Sequence, residues 1–478
     1  MTQSMRMVHD SLGDIPIPED AYYGAQTARA IQNFPISGLS LPREFIRAQA
    51  IIKWAAAQAH RDLGAMDANK AEAISQAALE VIDGKWDKWF QVDVYQAGAG
   101  TSQNMNMNEV IATRASELLG GQRGERLVVH PNDDVNQSQS TNDTFHVAMN
   151  ISALEMLAHQ LDPALAMLES ALGARAQAFM SIVKAGRTHL QDAVPMRLGD
   201  ELYAYAVNVG RHRRWIEEAA KGLLELGLGG NAIGTGINTP PDFPQTAVRY
   251  VAMHTGLPFR PAENPFVFNQ NPDEAVHVSQ SLRGLSLALG RIANDLRLLS
   301  SGPRTGLGEL RLPAVQPGSS IMPGKVNPVM AEMLNMVAFQ VQGCDATIAA
   351  AGGAGQLELN VMMPVMAHNL LFEIRILANA ITAFTNRCVV GITADKEKCE
   401  DHARRSLALA TALNREIGYE AAAKIVSHAL AHDEGLYEAG LEMKDEVGLE
   451  ETALKRALDI ERLAAPSGWG GDVGSGSD

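Results

Sequence analysis

Between residues 273 and 301 the apolar positions Val278, Leu282, Leu285, Leu289, Ile292, Leu296 and Leu299 alternate steps of four and three. That 3.5-residue period predicts one long helix presenting an unbroken seam to a left-handed helical bundle. A second stripe, Ile151, Leu154, Leu157, Leu161, Leu165, Leu168 and Leu172, repeats the spacing. Helical text over 197–226, 327–351 and 368–388 adds further long elements, and helices of roughly 25–30 residues run about 40 Å. The first 48 residues read as short extended pieces and turns, and 42–90 as amphipathic helices around 51–63 and 70–82. Beyond 391 the helices shorten and charge rises. The expected architecture is all-α: an elongated central bundle of long helices (141–392), flanked by an N-terminal, mostly helical domain (1–140) and a small C-terminal α domain (393–466). A flexible Gly/Ser tail is expected at 467–478.

Four polar segments interrupt or start these helices. Gly318-Ser-Ser-Ile-Met-Pro-Gly-Lys-Val-Asn-Pro328 holds two glycines, two prolines and two serines, so it is a loop, with Pro328 suited to the first position of the next helix. Gln96-Ala-Gly-Ala-Gly-Thr-Ser-Gln-Asn-Met-Asn-Met-Asn108 reads as a Gly-rich loop, with a helix following from Glu109. Ser140-Thr-Asn-Asp143 holds cap residues, and Gly186-Arg-Thr-His-Leu-Gln-Asp-Ala-Val-Pro195 reads as a polar hinge between helices. Each places neutral hydrogen-bond donors at a helix start, where backbone N–H groups and the helix dipole favour an anion. Such donor-rich, cation-poor segments suit small carboxylates. Plain capping and chain turning account for the same residues locally. Gly227-Leu-Gly-Gly-Asn-Ala-Ile-Gly-Thr-Gly236 is not a dinucleotide fingerprint, because it follows a long helix and not a strand.

Composition narrows the field. The 478 residues carry 46% hydrophobic and only 5% aromatic residues, a balance that favours helices over sheets. A formal net charge of −15 disfavours nucleic acid and acidic membrane surfaces as partners. Three cysteines without metal spacing, and an N-terminus without an apolar signal core, point to the cytoplasm. No carboxylate–histidine cluster for a metal, no phosphate loop and no nucleophile elbow stand out, so neither a metal nor a cofactor is expected.

Gly318–Pro328 resembles the signature of the fumarase/aspartase superfamily. The resemblance runs in order through Tyr23-Gly-Ala-Gln-Thr, Asn104-Met-Asn-Met-Asn-Glu-Val, His130-Pro-Asn-Asp, Gly186-Arg-Thr-His-Leu-Gln-Asp-Ala, Ala293-Asn-Asp-Leu-Arg-Leu-Leu-Ser-Ser-Gly-Pro-Arg304 and Glu358-Leu-Asn, nearly the whole chain. It implies a homotetramer with active sites shared between three subunits, and reversible anti-elimination from a C4 dicarboxylate through an aci-carboxylate. Carried over by motif, Ser319 is the general base, its alkoxide stabilised by backbone N–H groups and Lys325. Thr101, Ser140, Thr141 and Ser320 hold the aci-carboxylate. Lys325, Asn327, Thr188 and His189 hold the other carboxylate, and Asn142 lies by the leaving group with Thr101 and His189. An older alternative makes His189 the base, polarised by Glu332. A second anion site is implied at His130, Asn132 and Asp133.

Three details resemble aspartate ammonia-lyases more than class II fumarases: threonine at position 141, Ala97-Gly-Ala-Gly-Thr101, and Gly355-Gln-Leu-Glu-Leu-Asn-Val-Met with Pro364. The expected reaction is therefore L-aspartate to fumarate and ammonia. The class II fumarase reaction, L-malate to fumarate and water, is the alternative, and a catalytically retired helical scaffold a further one. His9, His146 and Met363 depart from the pattern of the relatives.

Overall fold

The computed structural model describes residues 4–123 and 127–465; the tail expected at 467–478 lies outside them. The seam of the sequence is a helix, Asp273–Leu299, in which Val278, Leu282, Leu285, Leu289 and Leu296 are wholly buried. Each such leucine contributes about 2 kcal/mol over leaving it exposed. Leu198–Ala220, Val329–Gly352 and Met363–Arg387 are further long helices, and Thr141–Met156 runs through a π-helical turn at Leu157–Leu161 into Asp162–Ala178. The fold is all-α. Among the described residues the strands form four two-stranded sheets, beginning with the hairpin of Met5–Asp10 and Gly13–Pro18.

By internal contacts the chain divides into two compact units. One comprises Met1–Ala164, His212–Leu287 and Val337–Asn379; the other comprises Leu165–Arg211, Ala288–Met336 and Ala380–Asp478. The first unit contains a core built on Ile74, Val81, Val110, Ile111 and Val135. The second contains a core built on Leu413, Ile425, Leu436, Ala439 and Leu454, from the short C-terminal helices.

Two expectations are corrected. The helix expected from Glu109 begins at Thr101 and runs to Leu118. Its amides do not loop out, because buried partners take them: Gln103 donates to Gln49 at 3.2 Å, Asn104 to Asn136 at 3.1 Å, and Asn106 to the Trp89 carbonyl at 3.0 Å. Amide side chains that would compete with a helix in water stabilise one when they cross-link it to its neighbours. The supposed hinge over 186–195 is an antiparallel hairpin, Val183–Thr188 paired with Gln191–Arg197. His189 and Leu190 form its two-residue turn with φ of 55° and 64°. That is the tight turn a right-twisted hairpin prefers, here made without glycine or asparagine.

Candidate active site

The starts of two helices abut in the first unit. Gly100, at φ 84°, precedes Thr101, and a Cβ there would lie 2.1 Å from the ring of Phe145. Only glycine permits that approach. The Thr101 hydroxyl is exposed and donates weakly to the Gly98 carbonyl at 3.4 Å. The Asn104 amide donates to the Thr141 hydroxyl at 3.2 Å, tying the second helix start to the first. Ser140 is the N-cap of that second helix: its Oγ accepts the Asn142 N–H at 3.2 Å, and Asp143 Oδ1 accepts the Ser140 N–H at 2.9 Å. Asn142 commits one amide proton to the Ala232 carbonyl at 2.7 Å, which leaves its Oδ1 as an acceptor.

Beneath these donors lie two buried ionisable groups that the sequence alone does not single out. Asp143 is wholly buried, and its Oδ2 accepts the N–H groups of Gly229 at 3.0 Å and Asn231 at 2.8 Å. The glycine-rich segment therefore cradles a carboxylate of its own chain. Lys53, also wholly buried, donates to Asn136 Oδ1 at 2.9 Å and Gln139 Oε1 at 3.0 Å. Burial pushes the Asp143 carboxyl up to about 7 against the pull of its three N–H donors, and pushes the Lys53 ammonium down to about 7. Burial disfavours both charges, while each charge favours the other.

The second unit holds the remaining candidates. In the loop over 318–328, Ser319 Oγ accepts the N–H groups of Ile321 at 3.2 Å and Met322 at 3.1 Å. Gly318 donates to the Lys325 carbonyl at 2.8 Å and accepts from Asn327 Nδ2 at 2.9 Å. A Cβ at position 318 would lie 2.5 Å from the Lys325 oxygen, so the closed loop requires glycine. Ser320 and Lys325 are exposed, and Glu332 sits exposed in the first turn of Val329–Gly352. Thr188 and His189 are exposed at the hairpin tip. The base of that hairpin is fixed by Glu309, which is fully buried: Arg187 donates to it twice, at 3.0 and 2.7 Å, His402 lies at 2.8 Å and Lys184 at 3.8 Å. Burial alone would raise the Glu309 pKa, but the Arg187 and His402 hydrogen bonds outweigh it and hold the carboxyl below its ordinary value.

His130, Asn132 and Asp133 line a cavity of about 1180 Å³ in the first unit, together with Arg6, Arg29 and Lys70. His130 Nδ1 accepts the Asp133 N–H at 3.1 Å, which leaves Nε2 as a donor, and Asp134 takes the His130 N–H at 2.7 Å. A histidine–carboxylate cluster that the sequence did not single out lies elsewhere in the chain. His428, His432 and Glu434 bring three donor atoms within 4.8 Å of one another. A helical turn and a chain reversal, neither conspicuous in the text, gather them.

The profile of a family described simply as lyase matches residues 13–343, and that of the fumarase C C-terminus matches 409–465. The chain is 48% identical over 443 residues to a protein named fumarate hydratase class II from Thermosynechococcus vestitus, covering 93% of this chain and 95% of the relative. It is 51% identical over 442 residues to one of the same name from Halobacterium salinarum, covering 92% and 94%. A solved class II fumarase from Schistosoma mansoni superposes with a TM-score of 0.94 at 39% identity, covering 96% of this chain and 99% of the other.

These relatives overturn the expectation of an aspartate ammonia-lyase and favour a fumarate hydratase. The three details that suggested aspartase also have local packing roles. Gly98 and Gly100 make room for Val361 and Phe145, and Ala99 is buried at φ 59° with its N–H on the Val361 carbonyl. The Thr141 hydroxyl is buried against Asn104. Asn360 closes the Val329–Gly352 helix by donating to the carbonyls of Ala351 and Gly352, both at 3.0 Å.

Proposed function

The chain belongs to the fumarase/aspartase superfamily of lyases, and we propose that it acts as a class II fumarate hydratase, interconverting L-malate with fumarate and water. The observation that carries this reading is its 46–51% identity to proteins of that name over more than nine-tenths of its length.

In this reading Ser319 Oγ removes the C3 proton. A serine hydroxyl is a weak base, but the Ile321 and Met322 N–H groups aimed at Oγ would stabilise the alkoxide, as preorganised donors do for any developing oxyanion. Lys325 adds its positive charge on the same loop. Charge then grows on the neighbouring carboxylate. Thr101, Ser140, Thr141 and Ser320 take that group, the hydroxyl proton of Thr141 being available because its oxygen, not its proton, is engaged by Asn104. Thr188, His189, Lys325 and Asn327 take the second carboxylate. Asn142 Oδ1, unspent on the backbone, accepts a hydrogen bond from the C2 hydroxyl as it departs; the proton taken by Ser319 passes through solvent to the departing hydroxide, which releases water and restores the base. No step calls on a cofactor, and the cleft at His130, Asn132 and Asp133 is a second place where an anion binds. The working assembly is a homotetramer whose chains share each active site. Large apolar residues exposed on the long helices, Met336 at 62% and Phe339 at 68% among them, support an assembly that covers them.

Among the described residues no helix is long and apolar enough to cross a membrane, and all three cysteines are buried and unpaired. Ultraviolet absorbance of fumarate tests the proposal, with L-malate and L-aspartate supplied separately to purified protein. Turnover of L-malate is expected. Turnover of L-aspartate alone would overturn it, and turnover of neither would mark a retired scaffold.

A further inference from the structure

We propose that the C-terminal segment carries a site for a divalent transition-metal ion, held by His428, His432 and Glu434. Helical geometry supplies the first half. His428 and His432 lie four residues apart on Tyr419–His432, so they share a face, and their ring centroids are 4.1 Å apart. The chain reversal supplies the second. The helix ends at Asp433 in the left-handed conformation, φ 53° and ψ 47°, and the Glu434 N–H bonds back to the Ala429 carbonyl at 3.1 Å. This returns the Glu434 side chain to the last turn, with Oε1 3.4 Å from His428 Nε2.

Two features distinguish the cluster from a chance meeting of polar side chains. Glu434 Oε1 is shut off from solvent and has no hydrogen-bond partner. A buried carboxylate oxygen left in that state costs free energy that a cation would recover. His432 Nδ1 lies 2.9 Å from the His428 carbonyl oxygen. A carbonyl only accepts, so Nδ1 carries the proton and Nε2 is left with the lone pair. That backbone contact is the outer partner that orients a metal-ligating histidine and fixes its tautomer. His428 Nε2 faces Glu434 and also Glu442, whose Oε2 lies at 2.9 Å. A carboxylate only accepts, so Nε2 carries a proton toward Glu442 in the metal-free chain; an incoming ion takes the place of that proton, and Glu442, with its side chain 62% exposed, is then free to bind the ion or a water upon it.

The three donor atoms already fall within 4.8 Å of one another. Small rotations of half-exposed side chains close that span around bonds of about 2.0–2.2 Å. Two imidazoles and one carboxylate suit zinc, cobalt or nickel and not magnesium or calcium, which take oxygen ligands. The bound ion would clip the end of the Tyr419–His432 helix to the turn that follows it.

The test uses the full-length, untagged chain, stripped with a chelator and titrated with zinc chloride by calorimetry and with cobalt chloride in the visible. A saturable site for a single ion per chain is expected, with d–d bands of nitrogen and oxygen coordination. Excess magnesium chloride should not displace the ion. His428→Ala and His432→Ala should each weaken binding by at least about ten-fold. His432→Gln, which keeps side-chain bulk, should do the same with an unchanged circular dichroism spectrum. Absence of saturable zinc binding, or an unchanged isotherm in the double alanine variant, would overturn the proposal.

Discussion

Asp143 Oδ2 accepts the backbone N–H of Asn231 at 2.8 Å, and through that bond the glycine-rich segment is held against the helix that starts with Ser140, Thr141 and Asn142. The other oxygen of the same carboxylate takes the Ser140 N–H at 2.9 Å. One buried group thus sets the height of the candidate substrate donors and the path of the strand of chain behind them. Asp143→Asn should lower stability by about 1–3 kcal/mol, because it sets an amide NH₂ against buried backbone N–H groups that the carboxylate accepts. Chemical denaturation reads that loss. At a temperature where the variant stays folded, the KM for L-malate should rise along with a fall in kcat, since the displaced groups bind as well as stabilise.

Ser319→Ala removes the proposed base and leaves the loop closed, because the Gly318 and Asn327 hydrogen bonds do not involve the serine side chain. Malate turnover should fall by at least about a thousand-fold, equivalent to about 4 kcal/mol of transition-state stabilisation. Sedimentation velocity should return the parent's oligomeric state. Activity within a few-fold of the parent would take Ser319 out of the reaction.

Glu309 connects Arg187, His402 and Lys184 at the root of the hairpin that presents Thr188 and His189. Glu309→Gln should cost about 3 kcal/mol or more, since it leaves buried cations facing a neutral amide. The same change loosens the hairpin tip, so the KM for L-malate should rise even in the fraction that folds. Unchanged KM with lowered thermal stability would confine Glu309 to a structural role.

Much of the fold was legible because burial follows period: the seam from Val278 to Leu299 names its own helix, and it is buried as the spacing requires. The polar segments were harder. The run from Gln103 to Asn108 reads as loop because amides compete with helical hydrogen bonds in water, and the partners that reverse the balance, Gln49, Trp89 and Asn136, lie far off in sequence. The hairpin at His189 and Leu190 lacks the glycine or asparagine that would announce it. Lys53 and Glu309 are single charges in apolar text, and nothing local separates them from solvated residues; Asp143 reads as an ordinary capping-box residue, and its bonds to Gly229 and Asn231 come from far off in sequence. The site motifs were readable where chemistry needs a particular local backbone, as at Gly318–Ser319. The leaving group was not, because the residues taken as its signature also answer to helix packing, as Gly100 does against Phe145.

His146 sits 1% exposed, stacked on Phe268, with neither ring nitrogen in hydrogen-bond geometry. Burial pushes its pKa down to about 4, against a weaker upward pull from Asn269. The unfolded chain binds that proton near pH 6.5, so the folded state holds fewer protons throughout the interval between the two values. The contribution of a neutral His146 is therefore complete above pH 6.5 and is lost progressively as pH falls toward 4. At pH 5 a group shifted in this way costs about 2 kcal/mol relative to pH 8. Asp143, whose folded pKa is raised, acts in the opposite sense over the same interval, so the parent's profile mixes the two. A substitution separates them. His146→Gln removes only the imidazole, so the gap in unfolding free energy between parent and variant should move by about 2 kcal/mol in the variant's favour from pH 8 to pH 5. Denaturant titrations of both proteins at the two pH values measure it, and a gap that stays constant would mean that His146 is protonated in place.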